Sequence, residues 1–573
     1  MIELLVANLA PVMFGSLIVF LLLGFPVAFS LAANGLLFGW LGIELGLMPT
    51  ALLQALPQRV YGVISNDTLL AVPFFTLMGL VLERSGMAED LLETIGQLFG
   101  TVRGGLAVAV VLVGAMLGAT TGVISASVIS MGLISLPIML RYGYSPRLAS
   151  GVIAASGTLS QIIPPSLVLI VLADQMGRSI GDMYRGAMLP ALLLVASYLV
   201  YVLVLAWLRP GSAPALPAEA RAFREPQGRS GARSLLVLMV VSGLVGWAVT
   251  RWGPLASQRL DETVVIAMLA WGLTAFALAG LNRVLRLGWL SRIAERVTFV
   301  MIPPLALVFL VLGTIFVGLA TPTEGGAMGA VGALIMAWSR GRLTWPVLRQ
   351  AMDSTARLTT FVMFILVGST VFGLVFRAVD GDLWIEHHLL NLPGGETGFL
   401  VMVSVLVFFL AFFLDFFELA FIVVPLLAPV ADRMGIDLVW FGVLLAVNMQ
   451  TSFMHPPFGF ALFYLRSVAP RRAYRDPVTG HTVAGVSTGQ IYWGAVPFIA
   501  IQLAMVALVL AVPGLVTHYR GQVGTVDPEH VQIDLGTTYG DTPYGELPNG
   551  GFGLGAESLP EAADEPDPAA AFR

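Results

Sequence analysis

Residues 154–166 read AASGTLSQIIPPS, and residues 448–459 read NMQTSFMHPPFG. Each stretch carries small polar residues into a Pro-Pro pair inside otherwise apolar sequence. Paired prolines remove two backbone donors and push the preceding residue out of the α region. The helix must stop there, leaving carbonyls of its last turn without intrahelical partners. In hydrocarbon such groups need a partner. The first stretch offers Ser156, Gly157, Thr158 and Ser160 before Pro164 and Pro165; the second offers Asn448, Thr451, Ser452 and His455 before Pro456 and Pro457. Hydroxyls and freed carbonyls are hard oxygen ligands that suit a small alkali cation, and a helix restarting after the prolines presents free N–H groups to a carboxylate. A kinked helix with packed Ser and Thr is the alternative for each stretch taken alone.

The two stretches are related. Pro164-Pro165 and Pro456-Pro457 lie 292 residues apart, and the same offset maps Pro137 onto Pro429, Gly143 onto Gly435, Ser156 onto Asn448 and Ser160 onto Ser452. An offset of 294 maps Gly24 and Gly35 onto Gly318 and Gly329. The chain therefore reads as two homologous halves, 1–208 and 298–517. Between them lie a Pro/Ala/Gly-rich polar linker, 209–233, and an inserted helix pair with a basic loop, 234–297. Two halves with broken helices are the pattern of many secondary transporters.

Composition sets the solvent. Of 573 residues, 57% are hydrophobic and only 11% are charged, against about 25% charged in a soluble domain. That excludes an ordinary soluble enzyme or nucleic-acid binder. The apolar runs are too long for barrel strands, so the expectation is an all-α polytopic membrane protein in a lipid bilayer, with re-entrant hairpins where runs are short. There is no cysteine, and all 30 basic residues are arginine. Thiol chemistry, iron–sulfur clusters and a Walker lysine are thereby excluded. Arginine clusters in 209–233, 282–296 and 340–349 mark three cytoplasmic loops. The net charge is −5, and ten acidic residues against two arginines follow His518. Residues 518–573 read as a disordered acidic tail. The first apolar run reads as a retained helix, not a cleaved signal.

Three further patterns carry polar groups into apolar sequence. GATTGVISAS, 118–127, offers Thr121, Ser125 and Ser127 beside glycines, for close packing or for an unwound turn. Asp415 and Glu418 lie three apart, as if on one helical face, and could bind a cation, carry a proton or pair with arginine. Thr321-Pro322-Thr323-Glu324 has the spacing of a capping box. His455 could bond substrate, titrate or cap the broken helix.

At GATTGVISASVISMGLISLPIMLRYGYSP, SGTLSQIIPPSLVLIVLAD, GLATPTEGGAMGAVGAL and FFLDFFELAFIVVPLLAPV the sequence resembles the large membrane (M) subunit of tripartite ATP-independent periplasmic (TRAP) transporters, the DctM-like family. The resemblance covers nearly all of 1–517. It implies a partnership with a small four-helix membrane subunit and a periplasmic substrate-binding protein in the bacterial inner membrane. It implies uptake of an organic acid driven by sodium, with no other cofactor, and an elevator-type movement. Sodium ligation then falls to Ser156, Thr158, Ser160, Asn448, Thr451 and Ser452. Ser125–Ser127 stand where the family often has an Asp, and His455 where Thr is more common. A stand-alone anion symporter and a membrane enzyme built on Asp415, Glu418 and His455 are the other readings; the latter lacks a nucleophile or metal motif.

Overall fold

Glycine and proline cut the apolar sequence into helices where the backbone demands it. Gly24 and its counterpart Gly318 have φ of 80° and 77°, and Gly143 and Gly435 have φ of 82° and 75°. A side chain opposes this left-handed geometry, so glycine is the residue that ends a helix this way. The structure, a computed structural model, describes residues 6, 8–121, 124–220, 231–252, 260–456 and 459–519. Most of the linker's second half and the acidic tail from 520 onward lie outside that set.

The first half contains α1 (Leu9–Leu22), α2 (Val27–Glu44), α3 (Leu56–Ile64), α4 (Ala71–Arg84), α5 (Met87–Leu98), α6 (Gly105–Thr121), α7 (Ile124–Arg141), α8 (Pro146–Thr158), α9 (Leu167–Gln175) and α10 (Ile180–Leu208). The inserted pair is α11 (Ala232–Trp252) and α12 (Leu260–Leu285). The second half contains α13 (Arg292–Val317), α14 (Pro322–Ser339), α15 (Trp345–Ala378), α16 (Gly381–Leu390), α17 (Gly395–Leu410), α18 (Phe416–Ile422), α19 (Val424–Arg433), α20 (Leu438–Ser452), α21 (Phe460–Val468), α22 (Thr488–Ala511) and a last turn, α23 (Gly514–Thr517). Among the described residues eight helices are long and apolar enough to cross a membrane, or nine if the α16–α17 pair, bent by 118°, counts as one span. The chain is a helical, multi-pass membrane protein.

The halves interlock. α2 packs along α15, and its counterpart α14 packs along the counterpart of α15's second half, α4. Likewise α8 packs on α22, and α20 on α10. Small residues set the approach. At Gly368 of α15 an added Cβ would lie 2.5 Å from the Ala28 carbonyl of α2, and at Gly35 of α2 it would lie 3.0 Å from the Phe372 backbone. Backbones this close gain dispersion contact along the whole crossing, which drives association where lipid offers no hydrophobic contrast.

Two helix pairs fold back on themselves. At the base of α6–α7, the Leu106 N–H donates to the Tyr144 hydroxyl at 3.2 Å, so both ends lie on one face. On that face Gly104 N–H bonds Ala213 O and Ser145 N–H bonds Ser212 O, both at 2.9 Å. The linker start is thus held against the hairpin. Ala213 and Leu216 are buried: the start of the linker pairs its backbone with the hairpin base, and these two apolar residues fill the gap. The α17–α19 pair enters from the opposite face, and its far end returns to α16 through the Arg433–Glu386 ion pair. The arginine-rich loops share the first face. Arg296 pairs with Glu93, and Arg340 and Arg342 with Asp90, all on α5.

The connection between α21 and α22 contains a short β-hairpin, β1 (Tyr474–Arg475) and β2 (Thr482–Val483), which the sequence analysis did not anticipate. Its Asp476, 2% exposed, is clasped by Arg141 at the end of α7 (2.9 Å) and by the Thr479 hydroxyl and N–H (2.7 and 2.8 Å). Burial alone would raise this carboxyl, but the Thr479 and Arg141 hydrogen bonds outweigh it and hold it down to about 2. A carboxyl depressed in the fold adds stability above its unfolded value of about 3.9 and loses it as pH falls through the folded value. Thermal stability should therefore be insensitive to this pair from pH 8 to 5. Arg141→Ala removes the counter-charge and raises the folded value toward the unfolded one, so the variant should be less stable above pH 5 and the gap to the parent should narrow as pH falls to 3. Melting curves from pH 8 to 3 that shift in parallel for both proteins would refute this assignment.

Candidate functional site

Each hairpin tip sits on a broken helix. In the first half α8 ends at Thr158 in a short 3-10 turn, Leu159–Gln161, and the chain restarts as α9 after Pro164 and Pro165, whose mutual peptide bond is cis. Ser166 caps α9 by accepting from the Leu169 N–H. Ser156 donates to Val152 O (2.6 Å), Thr158 to Ala155 O (2.9 Å) and Ser160 to Gly157 O (3.0 Å). Each hydroxyl hydrogen is thus spent on its own helix, and an oxygen's remaining lone pairs can accept from a further donor or face a cation. All three residues are fully buried.

Glycine lets the first hairpin reach this break. A Cβ on Gly118 of α6 would lie 2.9 Å from the Ser160 nitrogen, and one on Gly157 would lie 2.4 Å from Val128 of α7. Ser127 is buried on α7, and Ser125 is half-buried there. The side chain of Thr121 and residues Gly122, Val123 and Pro457 lie outside the described residues.

The second break repeats the arrangement. From α20, Asn448 Nδ2 donates to Ser404 O of α17 at 2.6 Å, Thr451 Oγ1 to Asn448 O at 2.6 Å, and Ser452 Oγ to Phe408 O at 3.4 Å. His455 lies between Phe408 and Phe412, with ring centroids 5.0 and 5.1 Å away, and its Nδ1 is 3.1 Å from Pro456 O.

Asp415 and Glu418 do not share a helical face. The chain unwinds between α17 and α18, and Asp415 is the N-cap of α18. Its Oδ1 accepts from the Glu418 N–H (3.0 Å), while Glu418 Oε2 accepts from the Asp415 N–H (2.9 Å). A helix beginning inside the membrane has orphan N–H groups, and this reciprocal pair satisfies two of them. The two carboxylates are thus engaged in capping rather than paired with arginine. Thr321 and Glu324 form the same motif at α14, as their spacing predicts.

A polar contact that no local sequence spacing marks joins the two breaks. Gln450 Nε2 approaches Thr158 Oγ1 at 3.4 Å across a separation of 292 residues, the offset that relates the prolines. A residue in contact with its own counterpart lies on the axis relating the halves. Gln502 of α22 donates to the same hydroxyl at 3.4 Å and to the buried Tyr198 hydroxyl of α10 at 2.8 Å. The available signal was a glutamine in the middle of the otherwise apolar α22.

Residues 14–515 match the family described as the tripartite ATP-independent periplasmic transporter, DctM component. The chain belongs to the DctM family. Over 521 residues this DctM chain is 26% identical to the C4-dicarboxylate TRAP transporter large permease DctM of Rhodobacter capsulatus, covering 88% of this chain and 97% of the relative. It is 23% identical to the isethionate TRAP transporter permease DctMQ of Oleidesulfovibrio alaskensis (89% of this chain, 66% of the relative). It is 24% identical to the ectoine TRAP transporter large permease TeaC of Halomonas elongata (82% and 92%). Among solved structures, the YdaH transporter of Alcanivorax borkumensis aligns with TM-score 0.47 and 14% identity, over 82% of this chain and 90% of that one. The family assignment thus makes the chain a TRAP transporter large permease.

Proposed function

We propose that this DctM-family chain is the permease subunit of a sodium-coupled, binding-protein-dependent importer of organic acid anions in the bacterial inner membrane. The observation that carries the reading is the pair of hairpins entering from opposite faces, each seated on a broken helix lined with hydroxyl or amide groups. Ser156, Thr158 and Ser160 at one break, and Asn448, Thr451 and Ser452 at the other, offer oxygen to sodium. The relatives named for C4-dicarboxylates and isethionate support an acidic substrate. A small four-helix membrane subunit and a periplasmic binding protein complete the assembly. In the elevator movement, α6–α10 and α17–α22 slide as one body against α2, α4, α14 and α15.

Reconstitution with both partners tests the reading. Uptake should require sodium and cease when choline replaces it; retained uptake in choline would sink the coupling. Ser160→Ala and Asn448→Ala should each raise the sodium half-saturation about tenfold, the equivalent of roughly 1.4 kcal/mol, at unchanged expression. Unchanged half-saturation in both would make the breaks structural kinks. Transport by this chain alone would favour a stand-alone symporter.

A further inference from the structure

The inserted helix pair leaves an apolar cleft of about 270 Å³ against the second half. Leu235 and Met239 of α11, Trp271 and Phe276 of α12, and Met301 and Phe309 of α13 line it. The polar groups at its walls are already satisfied. Thr298 donates to Ala294 O of its own helix at 2.8 Å, and Trp271 Nε1 donates to Met239 O of α11 at 3.2 Å. The cleft therefore asks for no polar guest, and the exposed Leu273 and Phe276 leave it open to hydrocarbon.

One end of the cleft is basic. Leu235 lies in the first turn of α11, Phe276 within three turns of the end of α12, and Val297 in the second turn of α13. All three helices thus carry the cleft up to the arginine-rich loops. Phe276 packs edge-on against Phe299, with centroids 5.2 Å apart, and Arg283 Cζ lies 5.4 Å from the centroid of that same Phe299 ring. Arg283 therefore stands over the mouth. Stacking uses the flat face of a guanidinium and leaves its N–H fork free. Among the described residues Arg283 has no hydrogen bond or ion pair.

The charge at this end is positive in balance. Arg233, Arg283, Arg286, Arg292, Arg296, Arg340 and Arg342 stand against Glu89, Asp90, Glu93 and Glu295. Asp90 is taken by Arg340 and Arg342, Glu93 by Arg296, and Glu295 accepts from Asn282 Nδ2 at 2.5 Å. Trp289, 70% exposed, is held at the same level by its N–H to Asn282 Oδ1 (2.8 Å), a position suited to the headgroup layer. An arginine fork beside an apolar slot on the cytoplasmic side matches a phosphate joined to an acyl chain.

We infer that this cleft holds an anionic phospholipid, with one acyl chain between the α11–α12 pair and α13 and its phosphate on the Arg283 fork. The lipid fills the gap and fastens the inserted pair to the second half. This binding is independent of the transport function proposed above.

Because the chain has no cysteine, a single label can report on the site. Gly280 lies on α12 between Phe276 and Arg283, and an added Cβ there meets no atom within 4 Å. Full-length Gly280→Cys carrying bimane is placed in phosphatidylcholine vesicles. Phosphatidylglycerol or phosphatidylcholine with dibrominated chains is then titrated in as quencher. Gly15→Cys on α1, equally open, reports ordinary boundary lipid. At Gly280 the phosphatidylglycerol should quench at about fivefold lower mole fraction than the phosphatidylcholine, the effect of about one arginine at the headgroup. At Gly15 the two should match. Arg283→Gln should erase the difference at Gly280. Gly272→Phe, which fills the cleft from α12 opposite Ile302, should erase it with Arg283 in place. Equal quenching by the two lipids at Gly280, or a preference that survives Arg283→Gln, would overturn the inference. Relief of quenching by millimolar glycerol phosphate would assign the site to a soluble phosphate. Loss of quenching on co-assembly with the small membrane subunit would assign the cleft to a protein helix, and either result overturns the inference as well.

Discussion

Gly151→Ala should prevent most of the chain from accumulating in folded form. Gly151 lies where α8 crosses α22, and an added Cβ there would sit 2.0 Å from the Gly494 carbonyl oxygen. The reciprocal position is as tight: a Cβ on Gly494 would sit 2.1 Å from the Arg147 carbonyl oxygen. Neither obstacle is a side chain that can rotate away, so the helices must separate. Overpacking of this kind costs about 3 kcal/mol, and separation also loosens α8 where it leads into the first break. Gly489, at the start of the same α22, meets nothing within 4 Å. Gly489→Ala should be neutral, or stabilising by up to about 1 kcal/mol through helix propensity. Fluorescence-detected size exclusion and thermal midpoints compare the two. Equal behaviour would show that the helices do not cross this closely.

Gln502→Leu should give the second-largest loss, about 2 kcal/mol. Hydrogen bonds between membrane helices average only about 0.6 kcal/mol, but this substitution also strands the buried Tyr198 hydroxyl, and an orphaned buried polar group costs about 1–3 kcal/mol. Tyr198→Phe removes the other partner. The double variant should therefore cost less than the two single changes together. Strictly additive thermal shifts would mean that the 2.8 Å contact contributes nothing. Because the same glutamine reaches Thr158 beside Gln450, its loss should also weaken the polar tie between the two breaks.

Much of the architecture was legible in local sequence. Pro164-Pro165 and Pro456-Pro457 stop helices whatever surrounds them, because proline lacks the N–H that a helix needs. Gly24, Gly143, Gly318 and Gly435 could be paired by offset because left-handed turns tolerate few other residues. Thr321 and Glu324 cap a helix through neighbours three residues apart, so their spacing sufficed. Asp415 and Glu418 have the same spacing, yet they read as a charged face. The cue that separates the two cases is an unwound chain at 411–415, and no proline marks it.

The sequence by itself determined a membrane protein of two related halves, with broken helices at defined prolines and hydroxyls beside them. These features depend on backbone constraints acting within a few residues. Only the tertiary structure decided that Thr158 meets Gln450 and that Gln502 and Tyr198 brace them. Those pairings join residues about 300 positions apart. They exist only once glycine-lined helices have packed closely enough to bring the two halves across one another.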